Sequence, residues 1–203
     1  MLDPIQALER LKVGNERFVS NASTLDITSA RRRELSKGQA PYAIVLGCAD
    51  SRVPTEVVFD QGLGELFVIR VAGNIVQPSQ IGSVEFATQH FGTRLVVVLG
   101  HTGCDAIAAT IDELRRSEGD QSANMAAIVS RIRPAVEGLI DQIDDPVELE
   151  HHAVRENVRY QAEALRHGST IVEYLVDRGD LIIVGAEYDL ETGVVDFFDG
   201  MPE

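Results

Sequence analysis

The sequence predicts an α/β fold: a mostly parallel central β-sheet, with about four parallel strands plus an antiparallel edge strand, flanked by helices. Three observations carry this expectation. Four short apolar, β-branched runs occur at Tyr42–Leu46, Leu66–Val71, Leu95–Leu99 and Leu181–Val184, most of them closed by glycine. Helical patterns fill the intervals between these runs, which suits strands buried on both faces and joined by crossovers. A turn at Glu191-Thr192-Gly193 precedes Val194–Phe198, which reads as the antiparallel edge strand.

The elements follow in order. Asp3 to Ser20 opens with Asp-Pro and spaces Ile5, Leu8, Leu11 and Phe18 along one helical face. A short helix covers Thr28 to Lys37 and stops near Gly38. After the first two strands, helices are expected over Gln80–Phe91 and, beyond the third strand, over Asp105–Arg115. Further helices span Ser122–Ile140, Pro146–His167 and Ser169–Arg178, with a polar loop over residues 117–122. No repeat or low-complexity stretch divides the chain. One domain over residues 1–203, with an N-terminal helical arm of about residues 1–38, is the expected organisation.

Composition narrows the function classes. The chain has 203 residues, 44% of them hydrophobic and 25% charged, as in ordinary globular proteins. Its formal net charge of −14 disfavours nucleic acid and anionic membrane surfaces as partners, because both reward Lys/Arg patches. The one basic cluster, Arg31-Arg32-Arg33, is followed at once by Glu34 and reads as a solvated helix face. No apolar run reaches the roughly 20 residues that span a bilayer. The first ten residues lack a basic start and apolar stretch, so a cytoplasmic location is expected.

The two cysteines stand where ligands gather in parallel sheets, just beyond the carboxyl ends of strands. Cys48-Ala49-Asp50-Ser51-Arg52 follows the first strand, and His101-Thr102-Gly103-Cys104 follows the third. A single cysteine after a strand is usually core. Two thiols and one imidazole at two strand ends instead form a favoured zinc donor set, and three protein ligands leave a fourth tetrahedral position open. Cys48, His101 and Cys104 are therefore the predicted ligands of Zn²⁺. Gly103 allows a sharp bend between His101 and Cys104. Asp50 lies two residues beyond Cys48 and can reach the open position, and the planar fork of Arg52 matches its carboxylate. The same pair also reads as a loop-stabilising ion pair.

Cys-x-Asp-x-Arg followed by His-x-x-Cys resembles the signature of the β-class carbonic anhydrases. The stretches Phe59–Asn74, Gly82–Ala87 and Gly185–Gly193 are similar to that family as well. The resemblance implies zinc-dependent, reversible hydration of carbon dioxide to bicarbonate and a proton. It implies that Asp50 either accepts a hydrogen bond from the activated water or, in a closed state, takes the fourth metal position. Arg52 would hold Asp50 off the metal. It further implies a pocket shared between two chains, hence a homodimer or higher homo-oligomer, with Gln39 binding substrate and Phe67, Ala72 and Phe86 forming a wall. Taken alone, Gln39 is equally a polar residue in the turn before Pro41, and the other three read as core. Phe86 replaces a commoner tyrosine. Asp105 stands where the family usually has glycine, which suits a helix start but adds negative charge near the thiolates. Carbonyl sulfide or carbon disulfide hydrolysis on the same ligands is the alternative activity.

Overall fold

The structure, a computed structural model, describes residues 2–116 and 122–202; the expected loop at 117–122 therefore lies, apart from Ser122, outside the described residues. Each of the four apolar runs forms a strand: β1 (Ala43–Gly47), β2 (Leu66–Arg70), β3 (Leu95–His101) and β4 (Ile182–Tyr188). They pair in parallel in the order β2-β1-β3-β4. β5 (Val195–Asp199) joins β4 in antiparallel register, with an irregularity at Gly185/Ala186. β3 and β4 run further than their apolar cores, because Leu99, Gly100 and His101 continue the ladder against Ala186, Glu187 and Tyr188.

Both faces of the sheet are covered, which is why the strands are apolar without alternation. Ala43, Val45, Val97, Leu99 and Val184 point to one face, where they meet Ala7, Leu8 and Leu11 of α1 (Pro4–Val19). Ile44, Leu46, Val96, Val98 and Ile183 point to the other, against α4 (Pro78–His90), α7 (Pro146–Arg166) and α8 (Thr170–Asp177). α1 starts as Asp3-Pro4 implies, with the Asp3 carboxylate accepting the Ile5 N–H at 2.9 Å. Its buried residues make it part of the core. Asn15 ties it down further by donating to the Val58 and Gly193 carbonyls and accepting the Val195 N–H.

α2 (Ser29–Leu35), α5 (Asp105–Arg115) and α6 (Ala123–Val136) also fall where the sequence puts helices. α6 ends at Val136, four residues short of the expected Ile140, and Gly138 lies in the turns that follow. Two elements escape the sequence pattern, the single turn α3 (Thr55–Val58) and a 3₁₀ turn at Ala72–Asn74. Both are too short to display a period.

The strand order reverses between β1 and β3: β1 leads to β2 on one side, β3 to β4 on the other. Such a switch point opens a crevice at the carboxyl ends of the two strands. Beneath that edge, α5, α6 and α7 build a third apolar cluster from Ile107, Ile111, Ile132, Val136, Leu149 and Val154. Cys48 and Cys104 belong to it.

Candidate metal centre

Cys48 follows the last residue of β1, His101 ends β3, and Cys104 caps α5. The sheet thus delivers all three to the switch point. Their ligand atoms lie within 4.8 Å of one another and all three residues are buried, the one such group found among the described residues. That spacing is within reach of one shared ion with bonds of about 2.0–2.3 Å. Gly103, at φ 64°, supplies the bend expected between His101 and Cys104.

Hydrogen bonds around the histidine fix its chemistry. The Nδ1–H of His101 donates to the Thr102 carbonyl at 2.9 Å, which leaves Nε2 as the bare lone pair. Nε2 is buried and has no hydrogen-bond partner. A buried orphan of this kind is costly, and beside two sulfurs it is the mark of a coordination position. The donor set fits a metal ion.

The sulfurs are not equivalent. The Cys48 thiol is pulled down, chiefly by neighbouring Cys104, against the opposing effect of burial; His101 and the amides of Asp50 and Gly73 add to the fall. Cys104 is pushed well up, by Cys48 first and burial second. Burial alone would lower the His101 imidazole, but Cys48 and the Thr102 carbonyl outweigh it and the net shift is upward. The two sulfurs and the imidazole thus act on one another within one buried cluster.

Asp50 reaches the same point. One carboxylate oxygen sits 3.9 Å from His101 Nε2. Arg52 grips that carboxylate through Nε at 2.9 Å and a terminal nitrogen at 2.6 Å, while its own backbone N–H donates at 2.8 Å. These bonds, led by the Arg52 side chain, hold the carboxyl well below the usual carboxylate range. Arg52 also donates to the Gly103 carbonyl at 2.9 Å, which links the two sequence motifs directly.

The structure sorts the remaining candidates into two groups. Ala72 directly precedes Gly73, whose N–H donates to Cys48 Sγ at 3.4 Å. Phe67 and Phe86 meet each other, ring centroids 6.3 Å apart, on the β2 edge of the sheet. Phe67 pairs with Ile44, three residues before the end of β1, and Phe86 is 45% exposed. Gln39 is exposed and precedes β1, so the full strand of roughly 16 Å separates it from Cys48 in the same chain. Asp105 takes the first position of α5 and is exposed, as a helix-start carboxylate should be.

Two contributors were not foreseen. Arg70 donates from Nε to the Cys48 carbonyl at 2.9 Å and from a terminal nitrogen to the Asp50 carbonyl, holding the first motif's backbone. The Gly73 amide supports Cys48 from the 3₁₀ turn. A lone arginine ending a strand gives no pattern to read, and a backbone amide gives none at all.

Fold and site together define an α/β protein with a buried Cys–His–Cys centre at the switch point of a parallel sheet. Comparison with known proteins gives that class its family. Residues 43–195 match the family model described as "Carbonic anhydrase". Carbonic anhydrase 2 of Mycobacterium tuberculosis is 38% identical over 194 residues, covering 94% of this chain and 91% of that one. A carbonic anhydrase of Mycolicibacterium smegmatis is 36% identical over 199 residues, with 96% and 93% covered. Among solved structures, one described with two tetrameric β-carbonic anhydrases from Sordaria macrospora superposes with a TM-score of 0.71 at 26% identity, covering 82% of this chain and 85% of that chain. The chain belongs to the carbonic anhydrase family, in its β class.

Proposed function

We propose that this chain catalyses the reversible hydration of carbon dioxide at a Zn²⁺ ion held by Cys48, His101 and Cys104. The observation that carries this reading is the buried, unpartnered Nε2 of His101 facing two cysteine sulfurs. Bound there, Zn²⁺ supplies the Lewis acidity that makes hydroxide available from water near neutral pH.

The chain's own residues do the rest. Asp50 would accept a hydrogen bond from the attacking water or hydroxide and so aim its lone pair at the carbon of CO₂. Arg52, bidentate on Asp50 and anchored to Gly103, would hold that carboxylate away from the ion. Ala72 borders the centre. Gln39, Phe67 and Phe86 stand too far along the sheet to serve the same chain, and they complete the pocket of a second copy. A homodimer or larger homo-oligomer follows from that division. The exposure of Phe86 and the tetrameric description of the Sordaria proteins support it. Both cysteines are free, which suits a reducing, cytoplasmic compartment. No helix of the described residues is long and apolar enough to cross a membrane. No observation favours carbonyl sulfide or carbon disulfide over CO₂.

The test is metal analysis of the purified protein with stopped-flow CO₂ hydration across pH 6 to 9. One zinc per chain and chelator-sensitive hydration are expected. A zinc-loaded protein inert throughout that range would sink the reading.

A further inference from the structure

We propose that Asn157 and Gln161 of α7 are positioning residues for the metal centre: they hold the Gly73 amide on the Cys48 sulfur and so set how strongly that thiolate donates to the ion. The proposal rests on the reading of Cys48 as a ligand.

Asn157 and Gln161 lie one helical turn apart and are each 1% exposed, two amides on an otherwise apolar stripe with Val154, Val158 and Leu165. Every polar atom of this pair is engaged. Asn157 Nδ2 donates to the Gly73 carbonyl at 3.0 Å. Gln161 Oε1 accepts the Val76 N–H at 2.8 Å, and its Nε2 donates to Asn157 Oδ1 and to the Arg131 carbonyl, both at 3.0 Å. The segment 73–76 is thereby clamped at both ends by one helix.

That segment needs clamping. Gly73 at φ 69° and Asn74 at φ 43° are consecutive left-handed residues, a conformation that chains rarely hold without outside support. A Cβ at Gly73 would stand 2.7 Å from Ile132 Cδ1, so no other residue fits the turn without displacing that side chain. The product of this strained turn is a buried N–H directed at Cys48 Sγ, 3.4 Å away. A hydrogen bond to a thiolate withdraws electron density from the sulfur, and such outer partners tune a metal as its ligands do. Two thiolates offset much of the charge of a divalent ion. The Gly73 amide returns some electrophilicity to it, and Asn157 keeps that amide in place.

Cobalt(II) substitution of the full-length protein provides a readout apart from turnover. In Asn157→Ala the thiolate-to-cobalt charge-transfer band should move to lower energy, because the sulfur becomes more electron-rich. Metal affinity, by chelator competition, should fall about tenfold. Gln161→Leu should shift the band in the same direction by less, and it carries the test if Asn157→Ala does not fold. Val158→Ala, a core change on the same helix, should lower the melting temperature and leave the band unmoved. A folded Asn157→Ala or Gln161→Leu protein with the wild-type band and affinity overturns the proposal alone. Wild-type protein that takes up no cobalt overturns the reading of the site, and the proposal with it.

Discussion

Two of the aspartate–arginine pairs in this chain, Asp60–Arg17 and Asp50–Arg52, differ in what surrounds them. Asp60, whose side chain is fully buried, accepts from Arg17, from the Ser23 hydroxyl, and from both the backbone N–H and the hydroxyl of Thr24. Its carboxylate is saturated, and its partners all belong to α1 and the segment just after it. Asp50 is held by a single residue, Arg52, and lies 3.9 Å from an imidazole nitrogen that has no partner. The first pair closes a hydrogen-bond account within the protein. The second leaves capacity beside an unsatisfied group. Buried charge alone does not mark a site; unfilled coordination beside it does.

The comparison can be broken at several places. Stripping the metal with a chelator should abolish CO₂ hydration while the Asp60 region is untouched, and adding zinc back should restore it. Asp50→Asn should keep zinc but lower kcat about 100-fold, the scale of losing a group that orients the nucleophile. Unaltered turnover in stopped-flow measurements would remove Asp50 from the chemistry. Arg52→Lys replaces a bidentate fork by a point charge and should cost about tenfold in kcat/KM with zinc content unchanged.

Asp60→Asn should reverse the pattern, with turnover per folded molecule retained and stability reduced by about 2 kcal/mol. In a chain of this size that is roughly 4–8 °C in Tm by calorimetry. The pH dependence has a definite sign. Burial pushes the Asp60 carboxyl up, but hydrogen bonds from Ser23, Arg17 and Thr24 bring it down to about 2. A carboxyl lowered by folding stabilises the protein above its unfolded pKa, near 4, and that stability is lost as pH falls from 4 through 2. Acid titration of unfolding should show this component in the wild type and not in Asp60→Asn. The smallest effect belongs to Phe86→Tyr, an exposed position where a change within about 0.5 kcal/mol in Tm-derived stability is expected.

Much of this was legible in the residues. Four apolar runs became four parallel strands because a sheet buried on both faces demands continuous hydrophobicity. That Cys48, His101 and Cys104 meet, with Asp50 and Arg52 beside them, could be read because both motifs abut strand ends. Gly103 announced the bend by its residue type. Arg70 and the Gly73 amide were not visible, since backbone groups and solitary side chains leave no spacing to read. Asn157 and Gln161 did leave one: two amides at i and i+4 on a buried helical stripe require partners, although nothing in the sequence says which.

The unpaired nitrogen of His101 has a consequence beyond catalysis. Burying it without a partner costs about 1–3 kcal/mol, which coordination of a metal ion would relieve. Metal-free molecules then open more often than loaded ones, and proteases act on what opens. On the zinc reading of the centre, a copy without its metal is expected to be cut sooner than a loaded one, which limited proteolysis with and without a chelator checks.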